Sequence, residues 1–111
     1  MSQHKNPSRF LLIDHSRSFT VELRSLYDTV KRHDPDLAKQ LRRAAASIHL
    51  NIREGQHSQG RRQQARYFDA MGSANEVRGV IEFATDFGYI KGHTAEAKLD
   101  RVIAILWKLT R

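Results

Sequence analysis

Cysteine is absent from this chain of 111 residues, which excludes a disulfide-stabilised scaffold and any zinc site built on thiolates. No run approaches the roughly 20 apolar residues that a membrane-spanning helix needs. The first eight residues, Met-Ser-Gln-His-Lys-Asn-Pro-Ser, lack the apolar core of a secretory signal peptide. These absences predict a cytoplasmic protein whose core is stabilised without metal or disulfides.

Motifs that carry chemistry are also missing. The six histidines form no His-Glu-x-x-His pair and no close carboxylate cluster, so the sequence predicts no metal site. Gly55 and Gly60 lack the lysine and the serine or threonine of a phosphate-binding loop. Ser47 has neither a nucleophile elbow nor an obvious base beside it. We therefore expect no catalytic residue, no cofactor and no enzymatic activity.

The periodicity of the apolar residues predicts four helices and no strand, because no segment alternates convincingly with period two. The predicted ranges are 9–32, 35–54, 61–87 and 94–110. Short connections between them favour an all-α protein, an antiparallel up-down-up-down four-helix bundle. We expect one domain over residues 1–111, with residues 1–8 flexible.

Local sequence signals set the ends of these helices. Asp34 and Pro35 are typical of an N-cap and a first helical residue. Gly55 and Gly88 are expected to close the second and third helices, because glycine adopts the left-handed conformation at little steric cost. Thr94 is the predicted N-cap of the fourth helix.

The second helix has two different sides. At about 100° per residue, apolar residues from Leu37 to Ile52 gather on one side, which indicates a core-facing helix. The opposite side is basic, with some apolar and small residues between the charges. The residues predicted to be core include Leu23, Leu41, Ile48 and Val77.

Positive charge is concentrated in the middle of the chain. The formal net charge is +7, and residues 37–66 contain seven Lys or Arg but one acidic residue. The flanking segments are nearly neutral, with six cations against five acids before and six against six after. A local excess of this kind predicts an anionic partner, although a simple solvated face remains the alternative. The predicted nucleic-acid-binding residues are Lys39, Arg42, Arg43, His49, Arg53, Arg61, Arg62 and Arg66.

The third helix is apolar on two nearly opposite sides. One side runs from Ala70 to Ala84 and fits a core stripe. The other side carries Phe68, Gly72, Gly79 and Phe83. Interior glycines cost about 1 kcal/mol relative to alanine, so they indicate close approach by another backbone. We predict a homo-oligomer interface at these four residues; the alternative is that the glycines make room for aromatic side chains inside one subunit.

Two segments resemble the bacterial four-helix-bundle proteins encoded by intervening sequences in large-subunit ribosomal RNA genes. The first segment is Gln40-Leu41-Arg42-Arg43-Ala44-Ala45-Ala46-Ser47-Ile48, with Asn51-Ile52 and Glu54-Gly55. The second is Tyr67-Phe68, Gly72-Ser73-Ala74 with Glu76, Ala84 and Phe87-Gly88-Tyr89-Ile90. The family usually has a proline where this chain has His49 and a small residue where it has Arg53.

The resemblance implies a ring of five bundles. It also implies RNA as the favoured nucleic acid, because relatives that accompany reverse transcriptases in diversity-generating retroelements are basic pentamers that bind RNA and protein. Since Asn51 and Glu54 match the family motif, we interpret them as structural groups that fix the end of the second helix.

Two other functions remain open from the sequence. The basic side of the second helix is also suited to an acidic protein partner. The spacing of Arg42 or Arg43 from His49 resembles that in helical ribonucleases of the HEPN superfamily, in which a histidine moves a proton beside an arginine. That spacing is common in arginine-rich helices, so the ribonuclease is the less favoured hypothesis.

Overall fold

The computed structural model describes residues 7–111, with side chains from residue 11 onward. These residues form four α-helices and no strand, which confirms the all-α prediction. The helices are α1 (Pro7–His33), α2 (Pro35–Gln56), α3 (Gly60–Asp86) and α4 (Ala95–Leu109). Every observed end lies within two residues of its prediction. The flexibility predicted for residues 1–8 falls mostly outside the described residues, whereas α1 already begins at Pro7.

The helices pack in a closed order. Helix α1 contacts α2 and α4, and α3 contacts the same two helices. The protein is elongated, with extents of 49 × 21 × 19 Å. Over the described range, no helix is both long enough and apolar enough to cross a membrane.

The core follows the predicted stripes. Leu23, Leu41, Ile48 and Val77 are all buried, as predicted. Tyr67 has the largest of the fully buried side chains, although the sequence analysis did not predict that it is part of the core. Because the apolar side of α2 is buried in this core, the Lys and Arg residues of α2 are exposed.

Two helix ends agree with the sequence signals. The carboxylate of Asp34 accepts the backbone N–H of Leu37 at 3.0 Å, which caps α2. Its other oxygen accepts the hydroxyl of Tyr89 at 3.2 Å. Gly88 follows α3 with φ +88°, the left-handed conformation predicted for it.

The prediction for Gly55 as a left-handed cap is wrong. Gly55 is buried inside α2, which continues to Gln56, and its φ is not positive. A Cβ atom added there would lie 2.5 Å from Cε1 of Tyr67. The glycine is therefore required by the close packing of α2 against α3.

Thr94 occupies the N-cap position of α4, as predicted, but its side chain does not cap the helix. Thr94 has helical backbone angles and makes no capping hydrogen bond; its hydroxyl donates to the carboxylate of Glu22 in α1. The side-chain acceptor comes from the preceding residue, His93, whose Nδ1 accepts the backbone N–H of Ala95 at 3.0 Å. Position 93 was not recognised because histidine is not among the usual capping residues.

Candidate nucleic-acid interface

Most of the predicted binding residues form one exposed surface on α2 and the start of α3. We call it the basic surface, and its members are Lys39, Arg42, Arg43, Arg53, Arg61, Arg62 and Arg66, all exposed. Within the described residues, only Arg66 among these cations has an ion pair, at 4.0 Å from Glu54. The other six therefore present positive charge that forms no ion pair with a carboxylate of the described residues.

The turn between α2 and α3 is held in a defined shape. The side-chain amide of Gln63 donates to the carbonyl oxygens of Gly55 at 2.9 Å and Ser58 at 3.1 Å. Gly60 begins α3 with φ +58°, a conformation that favours glycine. This geometry places Arg61 and Arg62 at the outer corner of the turn, next to the end of α2.

A polar network joins α2 to α3 beneath the basic surface. The hydroxyl of Ser73 donates to that of Ser47 at 2.7 Å, and the Asn51 amide donates to the same hydroxyl at 3.1 Å. The oxygen of Asn51 lies 3.5 Å from Nη1 of Arg66. Asn51 therefore bridges the two helices, which agrees with its interpretation as a structural group. Ser47 takes part in this bridge as well.

His49 differs from the other predicted binding residues, because it does not lie on the free side of α2. It is half-buried against α1, and its Nδ1 lies 2.7 Å from the buried hydroxyl of Ser16. Burial, and then the positive charges of Arg53 and Arg17, lower the pKa of His49 below its usual value. The imidazole is therefore mainly neutral near pH 7 and does not add a cation to the basic surface.

A second surface, which the sequence analysis missed, lies between the first two helices. We call it the α1–α2 groove, with a volume of about 750 Å³. Its lining includes Arg17, Val21 and Arg24 from α1 and Arg42, His49 and Leu50 from α2. The i, i+4, i+7 spacing of the three α1 residues is visible in the sequence and shows that they share one side of a helix.

The predicted oligomer residues form a third surface on α3, which we call the α3 face: Phe68, Gly72, Gly79 and Phe83. All four are exposed. A Cβ atom added at Gly72 or Gly79 would meet nothing within 4 Å. The alternative that these glycines make room for aromatic side chains inside the subunit is therefore wrong.

No group of three or more His, Cys, Asp or Glu residues in the described part of the chain has a geometry suited to a metal ion.

Arg42 and His49, the pair that suggested a ribonuclease, both line the α1–α2 groove. The groove also contains one acidic residue, Asp28.

Comparison with known proteins identifies the family. A protein of unknown function from the S23 ribosomal protein family of Bacteroides thetaiotaomicron has a similar fold, with a TM-score of 0.80 and 24% identity over 93% of this chain and 97% of that one. No curated protein sequence matches the chain. The family model for the 23S rRNA-intervening sequence protein matches residues 9–111. As the sequence resemblance predicted, the chain belongs to the 23S rRNA-intervening sequence protein family.

Proposed function

We propose that this chain is a cytoplasmic, non-enzymatic protein that assembles with copies of itself and binds nucleic acid, with RNA favoured, through the basic surface. The observation that carries the proposal is the group of six exposed cations on α2 and the start of α3 that have no carboxylate partner among the described residues. Arginine side chains bind phosphate groups bidentately, through two parallel N–H···O hydrogen bonds.

The same proposal includes an antiparallel arrangement of the helices. Three contacts support it, each joining an early part of one helix to a late part of its neighbour. The pairs are Ser16 with His49, Asn51 with Arg66, and Gln64 with Leu109. The end of α2 lies beside the start of α3 because only residues 57–59 separate them, and the cations of both helices combine there.

Self-assembly strengthens RNA binding by repeating the basic surface. Separate weak phosphate contacts become one avid interaction when several copies engage the same RNA. The exposed α3 face supports assembly, because its two phenylalanines, 54% and 47% exposed at Phe68 and Phe83, bury apolar area when another subunit covers them. The family resemblance favours a ring of five.

Two alternatives predict different results. If the partner is an acidic protein, it contacts the same cations, and the chain does not bind RNA even at low salt. A ribonuclease requires both a proton acceptor and a proton donor near the scissile bond, and His49 already has its Nδ1 engaged by Ser16. RNA that is cleaved by the wild type and left intact by a His49→Gln variant would replace the non-enzymatic proposal with the ribonuclease.

The test is a fluorescence anisotropy titration against mixed-sequence RNA between about 50 and 200 mM salt. We expect the wild type to bind more weakly as salt rises. Replacing Arg53→Gln and Arg62→Gln together should lower the affinity and reduce the slope of log affinity against log salt by about 1.4, which corresponds to two lost single-strand phosphate contacts.

The matched control is Lys91→Gln with Arg101→Gln, which removes the same charge from exposed positions outside the basic surface. Its salt slope should equal that of the wild type. Equal losses in the two variants would show that only total charge matters. No binding by the wild type at low salt would favour the acidic protein partner.

A further inference from the structure

The α1–α2 groove combines apolar walls with positive charge. Val21 and Leu50, on opposite helices, are 65% and 62% exposed, and both line the groove. Arg17, Arg24 and Arg42 lie beside them and outnumber the single acid Asp28. Phosphates gain nothing from large aliphatic side chains, whereas protein interfaces bury them. The groove is therefore suited to an acidic and apolar protein segment rather than to RNA.

The residues of α3 around the α3 face carry net negative charge, opposite in sign to the charge of the groove. Between Phe68 and Phe87, α3 contains four acidic residues and one basic residue, Arg78. The guanidinium of Arg78 bonds to Asp100 of α4 at 2.6 Å, so it does not neutralise the α3 face. The acids are Asp69, Glu76, Glu82 and Asp86, and all are exposed.

We propose that the α1–α2 groove of one copy receives the α3 face of a second copy. Charge complementarity identifies the occupant, because three arginines in the groove meet the acids beside Phe68 and Phe83. Gly72 and Gly79 have open space above them, so a second backbone can approach closely. The face from Phe68 to Phe83 is about 22 Å long and the α1 wall from Arg17 to Asp28 about 16 Å, so one helix fills the groove along its length.

This contact is heterologous, since it joins two different surfaces of the same chain. Each copy offers one groove and one face, and the contact therefore repeats until a ring closes or a fibre grows. The proposal rests on the self-assembly proposed above, and it identifies the α1–α2 groove as the surface that the α3 face contacts. It also assigns Arg42 to the subunit interface and leaves the other members of the basic surface, among them Arg53, Arg61 and Arg62, for RNA.

Charge reversal tests the pairing. A groove variant carries Arg24→Glu with Arg42→Glu, and a face variant carries Glu76→Arg with Glu82→Arg. We expect each to be a folded monomer by multi-angle light scattering at tens of micromolar. A chain that carries all four substitutions should regain the wild-type mass, because its groove and its face are again complementary in charge.

The control variant, Lys91→Glu with Arg101→Glu, makes the same charge change as the groove variant at exposed sites outside the groove and should keep the wild-type mass. A wild type that is itself a monomer overturns self-assembly altogether. A wild-type oligomer that persists in both double variants overturns only the pairing of groove with face.

Engineered disulfides test the same contact without changing charge, because the natural chain has no cysteine. Leu50→Cys lies in the groove and Phe83→Cys on the α3 face, both at exposed positions. A mixture of the two single variants should form a disulfide between unlike chains in preference to like chains. Efficient cross-linking of either variant with itself, and none between them, would overturn the proposal even if the charge variants failed to fold.

Discussion

Helices α2 and α3 pack against each other but place their charges in opposite ways. Helix α2 has Asp36 in its first turn and Arg53 in its last turn, which complements the helix dipole. Helix α3 has Arg61 and Arg62 in its first turn, no acid there and no basic residue in its last turn. The last turns of the other two helices agree with that of α2, with basic residues ending α1 and Lys108 ending α4.

The charges of α3 are therefore not arranged for the stability of the helix. An exposed charge on the unfavourable end costs about 0.3–1 kcal/mol. Cations at the start of α3 join those of α2 in the basic surface, while acids near its end adjoin the α3 face. Under the two proposals, the two ends of one helix offer opposite charge to two different partners, RNA and a second copy of the chain.

Glycines give the largest expected contrast between the two helices. Gly55→Ala in α2 forces a Cβ to within 2.5 Å of the Tyr67 ring, and we expect a loss of about 1–3 kcal/mol in unfolding free energy. Gly79→Ala in α3 meets nothing within 4 Å and should gain up to about 1 kcal/mol in the isolated protomer. Urea denaturation of both variants at a concentration that favours monomers checks this. Equal changes in the free energy of unfolding for Gly55→Ala and Gly79→Ala would show that the two glycines have the same role.

Charge reversal at the start of α3 should separate stability from binding. Arg61→Glu with Arg62→Glu improves the interaction with the helix dipole, so we expect about 0.3–1 kcal/mol of added stability per residue at low ionic strength, together with loss of RNA binding. The comparison is Arg53→Glu at the end of α2, where a negative charge is unfavourable and should lower the free energy of unfolding. Thermal unfolding gives the sign for each variant. Destabilisation by the α3 pair would remove the proposed contrast between the helices.

The smallest expected effect comes from His49 and depends on pH. Because its folded-state pKa is lowered by burial and by Arg53 and Arg17, the unfolded chain binds more protons below about pH 6.5. The stabilising effect of neutral His49 is therefore complete above that pH and is lost as pH falls toward the lowered folded-state pKa. His49→Gln should remove this part of the pH dependence, whereas His57→Gln at an exposed site should retain it. Unfolding measured from about pH 7.5 to 5 distinguishes them; identical profiles for wild type and His49→Gln would contradict the contribution of His49.

The helices and the core were predictable because they depend on local periodicity. Leu41 and Ile48 are buried for the same reason that Arg43 and Arg53 are exposed: each pair lies on a fixed side of α2. The start of α2 at Asp34 and Pro35 was equally predictable, since both residues act within one turn of the chain.

The features that were missed depend on which helix packs beside which. Arg17 and Arg24 join the groove only because α1 lies against α2, and no pattern within one helix contains that information. His49 was placed with the free cations although α1 covers part of it and Ser16 contacts its ring. Gly55 was interpreted as a helix end because its true neighbour, Tyr67, lies on the following helix.

Photocross-linking of the wild-type protein to mixed RNA at low salt, followed by mass spectrometry of the peptides, tests the separation of the two surfaces most directly. The proposed assignment predicts cross-links within residues 37–66, where seven cations and one acid lie, and none within 68–87, where four acids and one cation lie. Cross-links concentrated in 68–87, or distributed equally over both ranges, would contradict it.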